Sequence, residues 1–211
     1  SSLLEKGHCD PNSVSMSGVP ALQVAIAFSP FAHQIAQLLV NAGADVNKPD
    51  GSPGGGLTAL DVSITKRKRT SSEFLKSRGG IHSFKFCVET GQVANFPTTD
   101  TLDESTFHYL LSLSAAMGRV ESLKALLHLR PHTDLNSVLV REDISLLHLA
   151  ACRGHYAVCR YLIRYCRINV SATAFGGVGI HIAAATLAGS HLWSNESGLA
   201  GSLLPPLERL K

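Results

Sequence analysis

A pattern of apolar, small and glycine residues that recurs about every 33 residues constrains this chain more than any other feature. The segment LLHLAACRGH at 146–155 is followed by a similar one, GIHIAAATLAG, at 179–189, and their histidines, His148 and His181, lie 33 residues apart. Chains with a period of roughly 20–50 residues fold as arrays of one supersecondary unit, each unit packing against its neighbours. We therefore expect an array of similar units.

Further copies of the pattern occur toward the N-terminus. The segment at 109–127 has the same order of apolar, small and glycine positions, and PALQVAI at 20–26 matches TALDVSI at 58–64. Two similar phrases, LLEKGHCDPN at 3–12 and LLVNAGADVN at 38–47, look like unit endings. The sequence thus contains the tail of one unit at its start and five recognisable units, centred on Leu22, Leu60, Leu111, Leu147 and Ile180.

Each unit is predicted to be a pair of helices joined by a turn. In the fourth unit, Leu147, Ala150 and Ala151 place one large and two small apolar residues on one helical face, which lets a neighbouring helix approach closely. Gly154 supplies the left-handed conformation that ends this helix, and a second amphipathic helix is expected over 155–165. One such pair cannot bury its apolar face alone, so neighbouring units must complete the core.

The pattern resembles the ankyrin repeat, a unit of about 33 residues with a β-turn, two helices and a T-P-L-H signature. LLHLAACRGHYAVCRYLI and LLVNAGADVN are the specific matches, whereas the signature's Thr-Pro is nowhere intact. The resemblance implies an all-α solenoid of stacked helix-turn-helix ankyrin repeats with short β-turn or hairpin connections. It also implies a non-catalytic module that binds a partner protein through the concave surface of the stack.

The array is predicted to have four parts. A partial unit and two full units occupy 1–80, three units occupy 105–189, and a capping tail occupies 190–211. Between the repeat blocks lies 81–104, which we expect to be an irregular insertion or linker. The alternation in IHSFKFCVE, at 81–89, is typical of a short strand or hairpin. This segment either is a loop extruded from a continuous stack, which we favour, or separates two stacks.

Histidines and cysteines occur at metal-like spacing in the fourth unit. His148, Cys152, His155 and Cys159 would share one stripe on an unbroken helix, but Gly154 is predicted to split them between two helices. The resemblance explains both histidines, whose imidazoles would bind backbone groups of the adjoining turn. We therefore expect no metal and no cofactor.

The sequence shows no catalytic motif. SPGGGLTALD, at 52–61, lacks the Gly-Lys-Ser/Thr ending of a phosphate-binding loop, and no Ser lies on a G-x-S-x-G elbow. We expect that the chain is not an enzyme. Two alternatives remain open: a targeting or regulatory repeat region of a larger multidomain enzyme, and a structural spacer with a polar, featureless face.

Charge and hydropathy limit the partners and the location. The net charge of +3 is too small to indicate nucleic-acid binding, and no apolar run reaches the roughly 18 residues that span a bilayer. Five cysteines, an odd number at irregular spacing, favour free thiols in the cytoplasm. KRKR at 66–69 keeps the nucleus as an alternative. Because the chain starts with Ser inside an apolar pattern, we expect it to belong to a larger polypeptide.

The resemblance places partner contacts on the turn tips and on the exposed ends of the first helices. The candidate contact residues are Phe28, Lys66, His108, Met117, Arg141, Glu142, Ile144, Cys152, Arg153 and Phe175. Aromatic residues, Met and Arg are enriched at interface centres. The expected anchors are therefore Phe28, Met117, Arg141, Arg153 and Phe175.

Overall fold

The computed structural model describes residues 10–97, 102–141, 144–171, 173–174 and 177–178. These residues form an all-α fold with two short antiparallel ribbons and divide into two compact units. Unit 1 comprises the described parts of Ser1–Ser114 and Arg119–Thr133, and unit 2 those of Ala115–Gly118 and Asp134–Lys211. No helix in the described ranges is long and apolar enough to cross a membrane.

Unit 1 is built mainly from helical hairpins. Its helices are α1 (Ala21–Phe28), α2 (Ala32–Asn41), α3 (Ala59–Thr65), α4 (Arg69–Ser77), α5 (Phe84–Thr90), α6 (Glu104–Ala116) and α7 (Val120–Leu129), with a 3-10 turn at Val93–Asn95. Helices α1 and α2 pack together as one hairpin, and α3 and α4 as the next. Helix α1 packs against α3, and α2 packs against α4. The predicted mode of stacking, hairpin upon hairpin in chain order, is therefore present here.

The shared core of these two hairpins consists of residues of several helices at helical spacing. Its buried members are Leu22, Ile26, Ala36, Val46, Ala59, Leu60 and Leu75. Small residues such as Ala36 and Ala59 let the helix backbones approach, as the sequence pattern predicted. Burial of these apolar side chains stabilises the fold. Their full burial needs both hairpins, because the two hairpins share this core.

The start of α3 is joined to the start of α5 by a buried carboxylate. Thr58 and Asp61 form a capping box, in which the Asp61 Oδ2 accepts the Thr58 N–H at 3.0 Å. The same carboxylate accepts the Ser83 N–H at 3.0 Å and contacts His82 Nδ1 at 2.7 Å. Because Asp61 is fully buried, these bonds replace the water that its charge would otherwise need.

The segment expected to be irregular, 81–104, contains helix α5. Ser83 caps it, its Oγ accepting the Phe86 N–H at 3.1 Å, and Gly91 ends it with φ +77°. The alternation of apolar residues wrongly indicated a strand. It failed because five consecutive residues, 84–88, are all buried, Lys85 included, so the alternation does not separate a wet face from a dry one.

Asparagine side chains tie each turn to the turn one repeat further along. Asn47 Nδ2 donates to the Gly79 carbonyl at 3.1 Å, and its Oδ1 accepts the Ile81 N–H at 2.9 Å. Asn12 makes the equivalent two bonds, 31 and 33 residues ahead. In unit 2, Asn136 Oδ1 accepts the Asn169 N–H at 2.7 Å. The bonds thus recur at the period of the repeat.

Unit 2 contains one helical hairpin and two short strand pairs in the described residues. Its elements are β1 (Leu139–Arg141), β2 (Ile144–Ser145), α8 (Leu146–Cys152), α9 (Tyr156–Tyr165), β3 (Thr173–Ala174) and β4 (Gly177–Val178). Strand β1 pairs antiparallel with β2, and β3 with β4. Gly154, with φ +71°, separates α8 from α9, as predicted. The fifth unit beyond residue 178, the tail 190–211 and residues 3–9 lie outside the described residues.

Candidate partner-binding surface

A tight turn before α1 exposes apolar side chains. Val14 and Pro20 form an antiparallel bridge, and the Ser15 N–H donates to the Val19 carbonyl at 2.9 Å. The bridge closes a short loop, whose tip residue Met16 is fully exposed. Val14 is 50% exposed, although sequence reasoning did not select it.

Helix α1 continues this apolar exposure on its outer side. Val24 and Phe28 lie four residues apart and therefore on one helical face, and both are exposed, Phe28 to 80%. Phe31, in the turn that follows, is 63% exposed. The opposite face of α1 places Ile26 in the core. We call the exposed set, Val14, Met16, Val24, Phe28 and Phe31, the first-hairpin surface.

The glycine-rich loop after Asn47 is fixed at its base. Gln23, buried on α1, donates from Nε2 to the Leu57 carbonyl at 2.7 Å and to the Lys48 carbonyl at 3.1 Å. Lys48 Nζ in turn donates to the Asn12 carbonyl at 2.8 Å. One side chain therefore binds both ends of the loop and anchors it to α1.

This loop and the first turns of α6 line an open cavity of about 430 Å³ on the surface of unit 1. Its lining residues are Pro49, Asp50, Gly51, Ser52, Pro53, Gly54, Gly55, Ser105, Thr106 and Tyr109. Gly54, with φ +86°, packs against the Tyr109 ring, so closely that a Cβ there would lie 2.3 Å from the ring carbon Cε1. Any side chain at Gly54 would displace the ring.

Ionisable groups next to the cavity are buried or half-buried. Lys85 is only 3% exposed, and its Nζ donates to Ser52 Oγ at 3.2 Å. Burial raises the pKa of Glu89, an effect that the Lys85 charge opposes. Burial, and then the Glu89 charge, raises the pKa of Tyr109 to about 12. The phenol of Tyr109 is thus neutral at physiological pH and does not act as a base.

The other predicted contacts of unit 1 differ in accessibility. Lys66 follows α3, is exposed, and donates its backbone N–H to the Val62 carbonyl at 2.9 Å. His108 lies on α6, is half-buried, and places Nε2 3.9 Å from Glu104 Oε1. Of the residues predicted here, Phe28 and Lys66 are therefore the accessible ones.

The predicted contacts of unit 2 are less accessible. Met117, Cys152 and Arg153 are half-buried, and the Arg153 Nε has no hydrogen-bond acceptor among the described residues. Ile144 corrects our prediction: it is only 4% exposed, because strand β2 leads directly into α8 and turns this side chain into the core. Its role is packing.

Three predicted residues cannot be placed by their side chains. Arg141 belongs to β1, and nothing is described of its side chain. Glu142 and Phe175 lie outside the described residues.

The histidine and cysteine stripe is divided between two helices. His148 lies on α8, where its Nδ1 is 2.8 Å from Ser145 Oγ, and His155 precedes α9, with Nε2 2.8 Å from the Ala116 carbonyl. The His148 imidazole thus contacts the residue that caps its own helix, and the His155 imidazole contacts the last residue of α6, so in these described contacts neither is bound to the adjoining turn. Burial raises the pKa of the Cys152 and Cys159 thiols, which keeps them neutral. Among the described residues, no three His, Cys, Asp or Glu side chains are grouped to hold a metal ion.

Comparison with known proteins identifies one unit. The family model described as Ankyrin repeat matches residues 142–174. This range contains β2, α8, Gly154, α9 and β3. No curated protein matches the chain.

Proposed function

Because residues 142–174 match the ankyrin repeat family model, we propose that the chain binds a partner protein without catalysis and that the first-hairpin surface is its principal contact. Ankyrin repeats are protein–protein interaction motifs, and the family is generally non-catalytic. We propose that the chain acts as a scaffold or as a substrate-recognition domain. The residues of the first-hairpin surface would contact the partner.

The exposure of large apolar side chains on one hairpin is the observation that carries the proposal. Met16, Phe28 and Phe31 would each lose water-exposed apolar area on binding, and aromatic residues and Met are enriched at the centres of interfaces. A spacer would need no such side chains in water, because exposed apolar patches bring a risk of aggregation. The apolar first hairpin therefore favours a binding module over a spacer.

The loop cavity is a second element of the proposed contact. Its volume of about 430 Å³ is large enough for one side chain of a partner, and its walls include two prolines, three glycines and the Tyr109 ring. We propose that it receives an apolar side chain. The loop is well suited to this role because Gln23 holds both of its ends and so reduces the ordering cost of binding.

We propose a cytoplasmic location. The basic run KRKR joins α3 to α4, where Lys68 Nζ donates to the Ser29 carbonyl at 3.4 Å and Arg69 pairs with Glu73 at 2.9 Å. Two of the four cations are thus engaged within the fold, which argues against a freely extended import signal. Microscopy of a fluorescent fusion tests this: loss of nuclear signal in Lys66→Ala/Arg67→Ala would contradict a cytoplasmic location.

Differential proximity labelling tests the proposed surface. Wild type is compared with Met16→Ser/Phe28→Ser and with a control, Leu38→Ser/Leu129→Ser, which removes exposed apolar side chains from the second helices α2 and α7. We expect a discrete set of proteins to be lost with the first variant and retained with the control. Equal labelling by all three proteins, or equal loss from both variants, would contradict the proposal.

A further inference from the structure

We propose that the outer face of helix α9 is a second binding surface, which takes an acidic protein segment carrying aliphatic or aromatic side chains among its carboxylates. Tyr156, Arg160, Ile163 and Arg164 lie on this face, and the exposed Tyr165 lies at the C-terminal end of the helix; we call these five residues the α9 surface. It lies in unit 2 and is separate from the first-hairpin surface, so neither proposal depends on the other.

The geometry of α9 sorts its side chains into two groups. Val158 and Leu162 are fully buried and fix the helix to unit 2. Tyr156, Arg160 and Arg164 follow at intervals of four and therefore share one outward face. Tyr156 is 73% exposed. The buried side of α9 thus holds the helix in place, and the opposite face is exposed to solvent.

The sequence around α9 carries positive charge and no negative charge. From Ile144 to Asn195 the sequence contains no Asp or Glu, whereas it contains four arginines, Arg153, Arg160, Arg164 and Arg167. Arg160 and Arg164 have the same charge and lie one turn apart, which destabilises a helix slightly. A carboxylate brought by a partner would relieve this repulsion.

Two second helices of unit 1, α4 and α7, differ from α9 because they carry ion pairs on their exposed sides. On α4, Arg69 pairs with Glu73 at 2.9 Å, and on α7, Lys124 pairs with Glu121 at 2.7 Å. In the described part of the chain, neither Arg160 nor Arg164 forms an ion pair. The guanidinium groups of α9 therefore remain available for bidentate bonds to carboxylates.

The remaining side chains favour an acidic segment that also carries apolar residues. Tyr165 is 71% exposed and stacks on Tyr161, with ring centroids 5.5 Å apart, which holds its ring in place. Ile163 adds an exposed aliphatic side chain between the arginines. Tyr and Arg dominate the energetic centres of protein interfaces.

A protein segment fits this surface better than a nucleic acid does. Nucleic-acid binding requires a broad basic patch that neutralises many phosphates, and the net charge of the chain is only +3. No lysine occurs between Leu129 and Lys211 to extend the arginine patch. The local combination of arginine, tyrosine and isoleucine instead complements carboxylates and apolar side chains in alternation.

Peptide titration tests the proposal. The probe is a short fluorescein-labelled peptide of Asp, Glu, Phe and Leu, and its partner control has Asn and Gln in place of the acids. Binding is followed by fluorescence anisotropy at low and high salt for wild type, Arg160→Glu/Arg164→Glu and Arg160→Gln/Arg164→Gln. The matched control variant, Arg69→Glu/Lys76→Glu, makes the same charge change on the exposed side of α4.

We expect the acidic peptide to bind wild type and the α4 variant equally, and to lose about tenfold or more in affinity for the Glu variant of α9. The Gln variant should show an intermediate loss and keeps the test decisive if charge reversal unfolds unit 2, which circular dichroism reports. Equal binding of the neutral peptide, equal loss in the α4 variant, or no binding at all would overturn the proposal. So would binding of polyuridine RNA or phosphatidylserine vesicles through these arginines without binding of the acidic peptide.

Discussion

The side chain of Asn47 holds the backbone of Ile81, accepting its N–H at 2.9 Å across 34 residues of sequence. The same side chain donates to the Gly79 carbonyl, so one amide fixes both sides of the next turn. Asp45 orients Asn47 locally, because its Oδ1 accepts the Asn47 N–H at 2.8 Å. An Asp-x-Asn turn in one repeat therefore positions the corresponding turn of the next.

Substitution of Asn47 tests this connection. Asn47→Ala removes both long-range bonds, and we expect the free energy of unfolding to fall by about 1–2 kcal/mol. Urea denaturation followed by circular dichroism measures the change. Asn95→Ala is the control, since its side chain bonds only to Gln92, three residues away, and an equal loss there would contradict a special role for Asn47.

Gly54 is expected to be intolerant of a side chain. Gly54→Ala requires a left-handed alanine and also forces its Cβ into the Tyr109 ring, so it should cost about 1–3 kcal/mol more than Gly79→Ala. Gly79 has a similar φ, +80°, but nothing within 4 Å of its Cβ position. Thermal and urea unfolding compare the two variants, and equal destabilisation would show that the loop does not pack on Tyr109.

Removal of the side chain that caps α8 is expected to cause a moderate loss of stability. Ser145→Ala removes the hydroxyl that contacts His148 Nδ1 and caps the helix, and should lower the free energy of unfolding by about 1 kcal/mol. Ser171→Ala serves as the control in the same unit, because its described hydrogen bond uses only its backbone N–H. Urea unfolding of the two variants distinguishes a capping role from a general effect of removing a hydroxyl.

The raised pKa of the buried Cys87 thiol is expected to reduce the stability of the fold at alkaline pH. Burial, and then the Asp61 charge, raises the pKa of its thiol to about 12, against 9.0 for an unperturbed thiol. The unfolded chain therefore releases this proton first as pH rises, so the contribution is complete below about pH 9 and is lost progressively above it. The stability of Cys87→Ala should fall less steeply than that of wild type between about pH 9 and about pH 12.

Alkylation of native protein provides the check on Cys87. Cys87 is fully buried, whereas Cys152, Cys159 and Cys166 are half-buried. Mass spectrometry after iodoacetamide treatment should show the slowest modification at Cys87. Modification of Cys87 as fast as the other three would contradict its burial.

Local sequence signals predicted the helix pair of unit 2 well. Ser145 is a capping residue, Gly154 is the residue that adopts a left-handed turn without strain, and amphipathic spacing follows Gly154 in α9. Each of these features acts within a few residues of its own position. Such features are visible in one sequence.

Helix α5 could not be found from periodicity. Its residues 84–88 are buried on every side, so no amphipathic pattern distinguishes the helix from a buried strand. The capping residue Ser83 was the local signal available. A buried lysine within this run, Lys85, further obscured the pattern.

Contacts between residues that are far apart in the sequence could not be predicted from the repeat pattern either. The cavity joins Gly54 to Tyr109, and the exposure of Val14 and Phe31 depends on which neighbours cover them, so neither follows from local spacing. The asparagine bonds are different. The Asp-x-Asn phrase recurs at 10–12, 45–47 and 134–136 and marked these turns in the sequence.

Hydrogen exchange of the complex with a partner recovered by proximity labelling tests the central claim most directly. If the first-hairpin surface is the principal contact, peptides covering 13–19 and 24–31 will exchange more slowly in the complex than in the free chain. Peptides that cover α4 will keep the exchange rates that they have in the free chain. Unchanged exchange over 13–31, with protection elsewhere in the chain, would contradict the proposed mode of binding.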